Sequence, residues 1–243
     1  IFLHGGGNFG DVWYETHQFK EKIIISYPDN KIIILPQTVW YTDKRLLLHD
    51  VNIYSAHKNL TLCARDKSSY DLLKQHFTQN TVLLVPDMAF CIPPEQLKKY
   101  QGKQSGKDLF LKRIDRELNS KINYTDFIVD KKNTDISDWP AMKKVYTFLL
   151  RCFLWIFLRL SRKIHSVFPE LTDLYAFFFV KPHMIKIGVK FVSKYNKIYT
   201  TRLHAAILCC LLNKPFVLFD NSYGKNLSFF ETWLSDLDWV IFH

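Results

Sequence analysis

Strand-length apolar runs alternate with helix-length segments along the first hundred residues. Asn59–Ala64 alternates apolar and polar positions as a half-buried strand does, and Asp43–Tyr54 is typical of a helix. The same pattern predicts strands at Lys31–Leu35, Thr81–Val85 and Asp108–Leu111, and a helical pattern that follows Arg65 and runs to about Phe77. The repeated alternation favours a parallel sheet covered by helices on both faces.

The segment Lys197–Asp220 is predicted to form a strand–helix–strand unit, with Asn213 and Pro215 at the helix exit. Ligands bind beyond the carboxyl ends of the strands in such units, and a helix N-terminus there offers unpaired N–H groups to an anion. Arg202 adds a bidentate charge for phosphate or carboxylate, and His204 adds a side chain that titrates near neutral pH. A surface arginine and a capping histidine are the alternative.

A glycine-rich segment, Phe2–Asp11, is predicted to be a strand end, a turn and the start of a helix. Gly5, Gly7 and Gly10 satisfy the dinucleotide fingerprint G-x-G-x-x-G. That fingerprint also needs an acidic residue at the end of the next strand, where this chain has Pro36-Gln37-Thr38. We therefore reject a dinucleotide site and expect a turn where the backbone approaches a ligand closely.

Polar segments follow the predicted strands of the first hundred residues. Pro93–Lys107 has prolines at its start and glycines near its end, and we interpret it as the interdomain linker. Asn119–Trp139 is interpreted as a loop. This organisation predicts one domain at 1–103 and a second at 104–243. The chain begins without methionine inside an apolar run, so we expect further strands before residue 1.

Residues 140–195 are predicted to form a helical segment that is both apolar and basic. Val145–Leu158 is almost wholly apolar, but it is shorter than the roughly 20 residues that a membrane span needs. Two interpretations remain open. One is a buried or bridging helix, the usual origin of such runs. The other is an interfacial helix beside the basic residues Arg159, Arg162 and Lys163.

Composition excludes wholesale disorder, because apolar residues make up 48% of the chain and aromatic residues 16%. Charge is uneven: residues 1–100 carry 11 Lys and Arg against 10 Asp and Glu, whereas residues 101–243 carry 22 against 13. A basic second half suits a phosphorylated ligand or an anionic membrane, and no basic stripe interleaved with aromatic residues points to nucleic acid. Five cysteines without paired spacing favour a reducing compartment, and the sequence has no zinc-ligand pattern.

Six short motifs, in order along the chain, together resemble the polysaccharide pyruvyl transferase family. The motifs are His4-Gly-Gly-Gly-Asn-Phe-Gly-Asp11, Leu35-Pro-Gln-Thr38, Ala64-Arg-Asp66, Pro86-Asp-Met-Ala-Phe90, Thr201-Arg-Leu-His204 and Asp220-Asn-Ser-Tyr-Gly-Lys225. The resemblance implies an α/β protein of two Rossmann-like domains with parallel sheets, arranged as in GT-B glycosyltransferases, with the active site in the interdomain cleft. It also implies a bacterial, cytoplasmic enzyme of exopolysaccharide or cell-wall glycan biosynthesis. The interfacial interpretation of the basic helical segment adds peripheral contact with the anionic inner face of the plasma membrane as an expectation.

In this family, the enolpyruvyl carbons of phosphoenolpyruvate are transferred to two hydroxyls of one sugar as a pyruvate ketal. By motif position, Arg65 and Arg202 resemble the clamps on phosphoenolpyruvate, and His204 resembles the general acid. Two arginine forks suit a small donor with two anionic groups, and an imidazolium supplies the proton that such a transfer needs. Lys225 is expected to assist with phosphate, with a solvated loop lysine as the alternative. The scheme requires no cofactor and no metal.

Asn8 and Asp11 are assigned to the acceptor, a sugar or a lipid-linked oligosaccharide. Two other functions stay open. A GT-B glycosyltransferase with a nucleotide-sugar donor needs an acidic residue that grips the donor ribose, and Glu231 is the candidate for that role. A non-catalytic scaffold at the membrane surface would have no need of the two arginines and the histidine.

Overall fold

The computed structural model describes residues 1–115, 117–140, 145–161 and 168–243. It is an α/β structure with two sets of strands, compatible with Rossmann-like domains. Its contacts divide the chain into two compact units, residues 1–92 with 218–243 and residues 93–217. The domain division predicted after residue 103 groups 218–243 with the second domain instead, and it stays a prediction.

The first sheet is parallel. Its strands are β1 (Phe2–Leu3), β2 (Gly6–Gly10), β3 (Ile32–Trp40), β4 (Leu60–Ala64) and β5 (Thr81–Leu84). The strand order is β1-β3-β4-β5, and β2 also pairs with β3. The helices that alternate with these strands are α1 (Tyr14–Ser26), α2 (Lys44–Ser55) and α3 (Lys67–His76). The alternation predicted from the hydrophobic pattern is confirmed here.

Strand β3 is longer than predicted, since it continues through Pro36 to Trp40. Its pairing with β4 is irregular around this proline: Ile34 aligns with Leu62, but the next aligned pair is Gln37 with Ala64. A proline has no N–H to give to the ladder, and a register irregularity accommodates it.

The glycine-rich segment is a strand and not the predicted turn. Strand β2 pairs with the last residues of β3, and α1 begins only at Tyr14. Gly10 has a φ of +106°, and a Cβ at this position would lie 1.9 Å from the carbonyl oxygen of Trp40. The glycine therefore allows β2 to approach β3 more closely than any residue with a side chain could. The prediction of a turn and a helix start by Asp11 is wrong for this reason.

The second sheet contains β6 (Asp108–Leu111), β7 (Thr134–Ser137), β8 (Ile198–Thr200), β9 (Phe216–Leu218) and β10 (Val240–Phe242). Its order is β10-β9-β8-β6-β7, and β6 is parallel to both β7 and β8. The remaining helices are α4 (Pro94–Lys98), α5 (Val145–Ser161), α6 (Phe168–Tyr175), α7 (Lys181–Ser193), α8 (Leu203–Leu211) and α9 (Lys225–Trp233). A π-helical turn, Ala176–Val180, joins α6 to α7.

The predicted strand–helix–strand unit is confirmed as β8, α8 and β9, and Asn213 leaves the helix with a φ of +50°. Two predictions are corrected. The predicted loop Asn119–Trp139 contains the edge strand β7, whose polar sequence Thr-Asp-Ile-Ser lacks the apolar alternation of a half-buried strand. The predicted linker Pro93–Lys107 contains the short helix α4.

The apolar segment after residue 144 is helical as predicted, but its burial is not as expected. Phe148, Phe153 and Trp155 of α5 are 62, 52 and 57% exposed, and Leu150 is the buried residue among its described side chains. The interpretation as a buried helix is therefore wrong for these residues. Arg162 and Lys163 lie outside the described residues. Among the helices that the structure describes, none is long and apolar enough to cross a membrane.

Candidate functional site

Arg65 follows directly after β4, at the carboxyl end of the first sheet, and is 1% exposed. Its Nη1 donates to Asp87 Oδ2 at 2.7 Å, and its Nε donates to Thr38 Oγ1 at 3.0 Å. A buried arginine needs such a partner, because an unpaired charge in the interior is costly. The sequence motif Pro86-Asp87 thus supplies the counter-ion of Arg65.

Gly7 is the point on β2 where two cations meet. A Cβ at this glycine would lie 3.3 Å from Arg65 Nη2 and 3.7 Å from Lys225 Nζ. Arg65 Nη2 is thus beside Gly7, while Nε and Nη1 of the same guanidinium are held by Thr38 and Asp87. A small anion placed at Gly7 would meet both cations, and the glycine itself has no side chain to hinder it.

Lys225 is the first residue of α9, and its side chain is buried rather than solvated. Asn221 Oδ1 accepts a hydrogen bond from the backbone N–H of Lys225 at 2.8 Å, so the preceding loop caps this helix. The alternative of a solvent-exposed loop lysine is wrong. The ammonium and the N-terminal end of α9 both favour negative charge at this place.

Asn8 is held by Lys20, a residue that the sequence analysis did not single out. Lys20 Nζ donates to Asn8 O at 3.1 Å, to Asn8 Oδ1 at 2.6 Å and to Gln37 Oε1 at 2.8 Å. Because Lys20 is fully buried, desolvation lowers its pKa to about 7. Lys20 therefore orders the glycine-rich strand. In the sequence it is one of several charged residues of α1, beside Glu21 and Lys22, so nothing marked it for that role.

Asp11 ties the end of β2 to the loop before α2. Its Oδ2 accepts hydrogen bonds from Thr42 N and Thr42 Oγ1 at 2.6 Å and from Asp43 N at 2.8 Å. Burial raises the pKa of Asp11, but these hydrogen bonds outweigh it and hold the pKa below its ordinary value. The role in acceptor binding stays a prediction.

In the second unit, Arg202 immediately precedes α8, and His204 is an exposed residue of its first turn. Arg202 makes two bonds of 2.5 Å to the carboxylate of Asp138 and lies 3.3 Å from Asp115. Desolvation lowers the pKa of Arg202, and these two carboxylates more than offset it, so the pKa is raised. Neither carboxylate partner could be inferred from the sequence, because Asp115 follows β6 and Asp138 follows β7, both far from Arg202 in the chain.

A buried cluster between α1 and α2 offers one nitrogen and two carboxylates within 4.8 Å of one another, from His17, Glu21 and Asp50. Gly10 N donates to His17 Nδ1 at 3.2 Å, which assigns the ring proton to Nε2. That Nε2 lies 2.7 Å from Asp50 Oδ2. A protonated Nε2 has no lone pair for a metal, so this hydrogen-bond pattern suits a cluster that holds protons.

The structure thus brings Arg65 and Lys225 together at Gly7 in the first unit. Asn8, the next residue of β2, is held by Lys20, and Asp11 directly follows the strand. Arg202 and His204 lie together at the start of α8 in the second unit. The catalytic and binding roles of these residues stay predictions.

Comparison with known proteins identifies relatives of the chain. Residues 1–223 match the family described as polysaccharide pyruvyl transferase. The Bacillus subtilis protein EpsO, which is named as a pyruvyl transferase, is 33% identical over 96% of this chain and 69% of its own length. Pyruvyl transferase 1 of Schizosaccharomyces pombe is 28% identical over 96% of this chain and 54% of its own length.

A crystal structure of a functionally uncharacterised protein of Klebsiella pneumoniae has a similar fold. It has 18% sequence identity and a TM-score of 0.58, and the match covers 100% of this chain and 75% of that chain. At this identity, the likeness extends to the fold alone.

Proposed function

The chain belongs to the polysaccharide pyruvyl transferase family, and on that premise we propose that it transfers the three-carbon unit of phosphoenolpyruvate to two hydroxyls of a sugar. The observation that best supports this donor is the pair of cations, Arg65 Nη2 and Lys225 Nζ, beside Gly7. Phosphoenolpyruvate carries a carboxylate and a phosphate on three carbons, and a compact group of cations with an open backbone suits it better than an apolar pocket would.

The proposed reaction balances without an oxidant or a cofactor. Protonation of the methylene carbon of phosphoenolpyruvate makes a methyl group and leaves an electron-deficient C2. One sugar hydroxyl attacks C2 and releases its proton, phosphate departs with the C–O bonding pair, and the second hydroxyl attacks the same carbon. Of the two hydroxyl protons, one replaces the proton given to the methyl group and the other leaves with phosphate. The products are a pyruvate ketal and hydrogen phosphate.

We assign the proton donor to His204, which is exposed at the start of α8 and follows the strand-end motif Thr201-Arg-Leu-His204. Arg65, Arg202 and Lys225 are assigned to the anionic groups of the donor. For Arg202 this requires exchange, because its fork is held by the carboxylate of Asp138. A donor carboxylate offers the same bidentate geometry and replaces that ion pair without leaving the guanidinium unpaired.

The acceptor is proposed to be a sugar or lipid-linked oligosaccharide of bacterial exopolysaccharide or cell-wall glycan synthesis. The proposed place of action is the cytoplasmic face of the membrane. The exposed apolar residues of α5 support contact with an anionic membrane, since Arg151 and Arg159 lie among them and the chain carries a net charge of +10.

Substitution of His204 tests the proposed chemistry. His204→Ala should reduce phosphate release from phosphoenolpyruvate by about 100-fold or more, because general acid catalysis typically contributes 10²–10⁴-fold. Its Kd for phosphoenolpyruvate should stay unchanged, whereas Arg202→Ala should lose donor binding. His49→Ala, at a histidine that is 60% exposed on α2, is the control and should retain both properties. Full activity of the His204 variant would overturn this mechanism.

A further inference from the structure

A cleft of 210 Å³ lies in the first unit, and Lys225 forms part of its wall. The other walls come from the end of β3, the start of α3 and the first turns of α9. At its rim the rings of Trp40 and Tyr223 are 5.1 Å apart and inclined at 35°. Trp40, the last residue of β3, lines the cleft and is 37% exposed, so part of it is accessible to a ligand.

The lining of this cleft combines aromatic rings with polar side chains. Ser68 and Glu231 line it and are exposed, so a hydroxyl and a carboxylate are available to a ligand. Asp66, deeper in the cleft, is already engaged by Thr38 at 2.7 Å and by Ser69 N at 2.9 Å. A sugar ring offers two matching kinds of surface, because it has C–H bonds on its faces and hydroxyls around its edge. An aromatic face accepts the former, and the polar groups accept the latter.

Size favours one ring over a longer ligand. Pockets that enclose drug-sized molecules have roughly 300–1,000 Å³, and this cleft is smaller. Its position favours an acceptor, because Lys225 lines the cleft while its Nζ lies beside Gly7 with Arg65 Nη2. A ring in the cleft would therefore be next to an anion bound at Gly7.

We propose that this cleft binds the pyranose ring of the acceptor, with Trp40 and Tyr223 as its aromatic platform and Ser68 and Glu231 as partners of its hydroxyls. The identity of the ring as an acceptor rests on the proposed function, but its binding to the cleft does not. The proposal gives Glu231 a sugar hydroxyl as its ligand in place of the donor ribose considered from the sequence.

Saturation-transfer NMR with methyl β-glucopyranoside, methyl β-galactopyranoside and methyl α-mannopyranoside tests the platform. At least one glycoside should receive saturation on its ring C–H protons from the wild-type chain. Trp40→Ala should weaken that binding by about two- to tenfold, the range expected for one aromatic contact, and Trp40→Phe should keep most of it. Trp239→Ala is the matched control, because Trp239 is also 37% exposed in the same unit.

Tyr223→Ala and Glu231→Gln carry the test if Trp40→Ala fails to fold, as judged by its melting curve. The proposal would be overturned if Trp40→Ala, Tyr223→Ala and Glu231→Gln all transferred saturation to a glycoside as strongly as the wild type does. It would also be overturned if the wild type transferred saturation to none of the glycosides. Saturation of the base protons of uridine or guanosine diphosphate, lost in Trp40→Ala, would also overturn it and assign the cleft to a nucleotide.

Calorimetric titration of the same proteins with phosphoenolpyruvate separates the two proposals. Glycoside binding without phosphoenolpyruvate binding would leave the cleft assignment standing and remove the proposed donor. Phosphoenolpyruvate binding without glycoside binding would leave the proposed donor standing and remove the cleft assignment.

Discussion

Glu21 is a carboxyl group whose protonation is coupled to folding. Burial is the main cause that raises its pKa from 4.5 to about 8, and the hydrogen bond and charge of Asp50 add to the effect. The titratable groups that face Glu21 or Asp50 include the following residues: His17, His49, Tyr41 and Tyr54. The folded chain therefore holds a proton at Glu21 that the unfolded chain releases above its ordinary pKa.

Because the pKa of Glu21 is raised on folding, this group makes the folded state less stable as the pH rises. At Glu21 the unfolded state binds fewer protons than the folded state between pH 4.5 and about 8, so this group lowers the free energy of unfolding as the pH rises across that window. Glu21→Gln should flatten this dependence and raise the melting temperature at pH 8, by ~2–4 °C for each kcal/mol regained in a chain of this size. At pH 4 the variant and the wild type should melt alike.

Glu15→Gln is the control for this measurement, because Glu15 is exposed on the same helix. It should leave the pH dependence of the wild type unchanged. An equal slope in the Glu21→Gln variant and the wild type would show that the cluster does not hold the proton assigned to it.

Single residues with a motif around them could be found from the sequence, whereas their partners could not. Arg65 and Arg202 stand at strand ends that the hydrophobic pattern predicts, and the structure places them there. Their counter-ions Asp87 and Asp138 lie 22 and 64 residues away in the chain. Such pairs depend on which strand ends are neighbours in the sheet, and a hydrophobic pattern does not specify strand order.

At the scale of elements, the hydrophobic pattern predicted strands and helices well where both faces of the sheet are covered. It failed at β2 and β7, for opposite reasons. Strand β2 consists largely of glycine, which in sequence indicates a turn, and its pairing depends on close approach to Trp40. Strand β7 is a polar edge strand, and its pairing with β6 on one side is a long-range contact.

Helix α5 carries the largest departure from the expected burial, and it supports a testable prediction. Phe153 and Trp155 are more than half exposed, and the guanidinium of Arg159 lies 4.7 Å from the Trp155 ring. An anionic membrane satisfies both kinds of group, because the rings enter the interface and the arginines meet lipid headgroups. The chain should therefore sediment with phosphatidylglycerol vesicles more strongly than with phosphatidylcholine vesicles.

The double variant Phe153→Gln and Trp155→Gln should bind phosphatidylglycerol vesicles several-fold more weakly than the wild type does. Leu48→Gln is the control, since Leu48 is 61% exposed on α2, and it should bind as the wild type does. Failure of the wild type to sediment with anionic vesicles would remove the membrane role.

At the scale of the whole chain, two parallel sheets and membership of the family could be reached from motif order and strand alternation. The grouping of residues 218–243 with the first unit was not foreseen. It has a consequence for function, because it brings Lys225 to Gly7 and Arg65 within one compact unit. Sequence order alone placed Lys225 in the second domain.

The claim that the first unit binds a small dianion at Gly7 is best tested without removing Arg65. Loss of its guanidinium would remove the buried ion pair with Asp87, at a cost of ~3–5 kcal/mol, and would confuse binding with folding. Gly7→Ala instead places a methyl group 3.3 Å from Arg65 Nη2 and keeps both cations. Gly188→Ala is the control, because a Cβ at Gly188 meets nothing within 4 Å.

Calorimetric titration with phosphoenolpyruvate is therefore the decisive measurement. The wild type and Gly188→Ala should bind phosphoenolpyruvate with the same Kd, and uridine and guanosine diphosphates should give no heat. Gly7→Ala should weaken phosphoenolpyruvate binding by at least tenfold while its melting temperature stays near that of the wild type. Equal phosphoenolpyruvate affinity in Gly7→Ala and the wild type, or binding of a nucleotide in place of phosphoenolpyruvate, would contradict the assignment of this site.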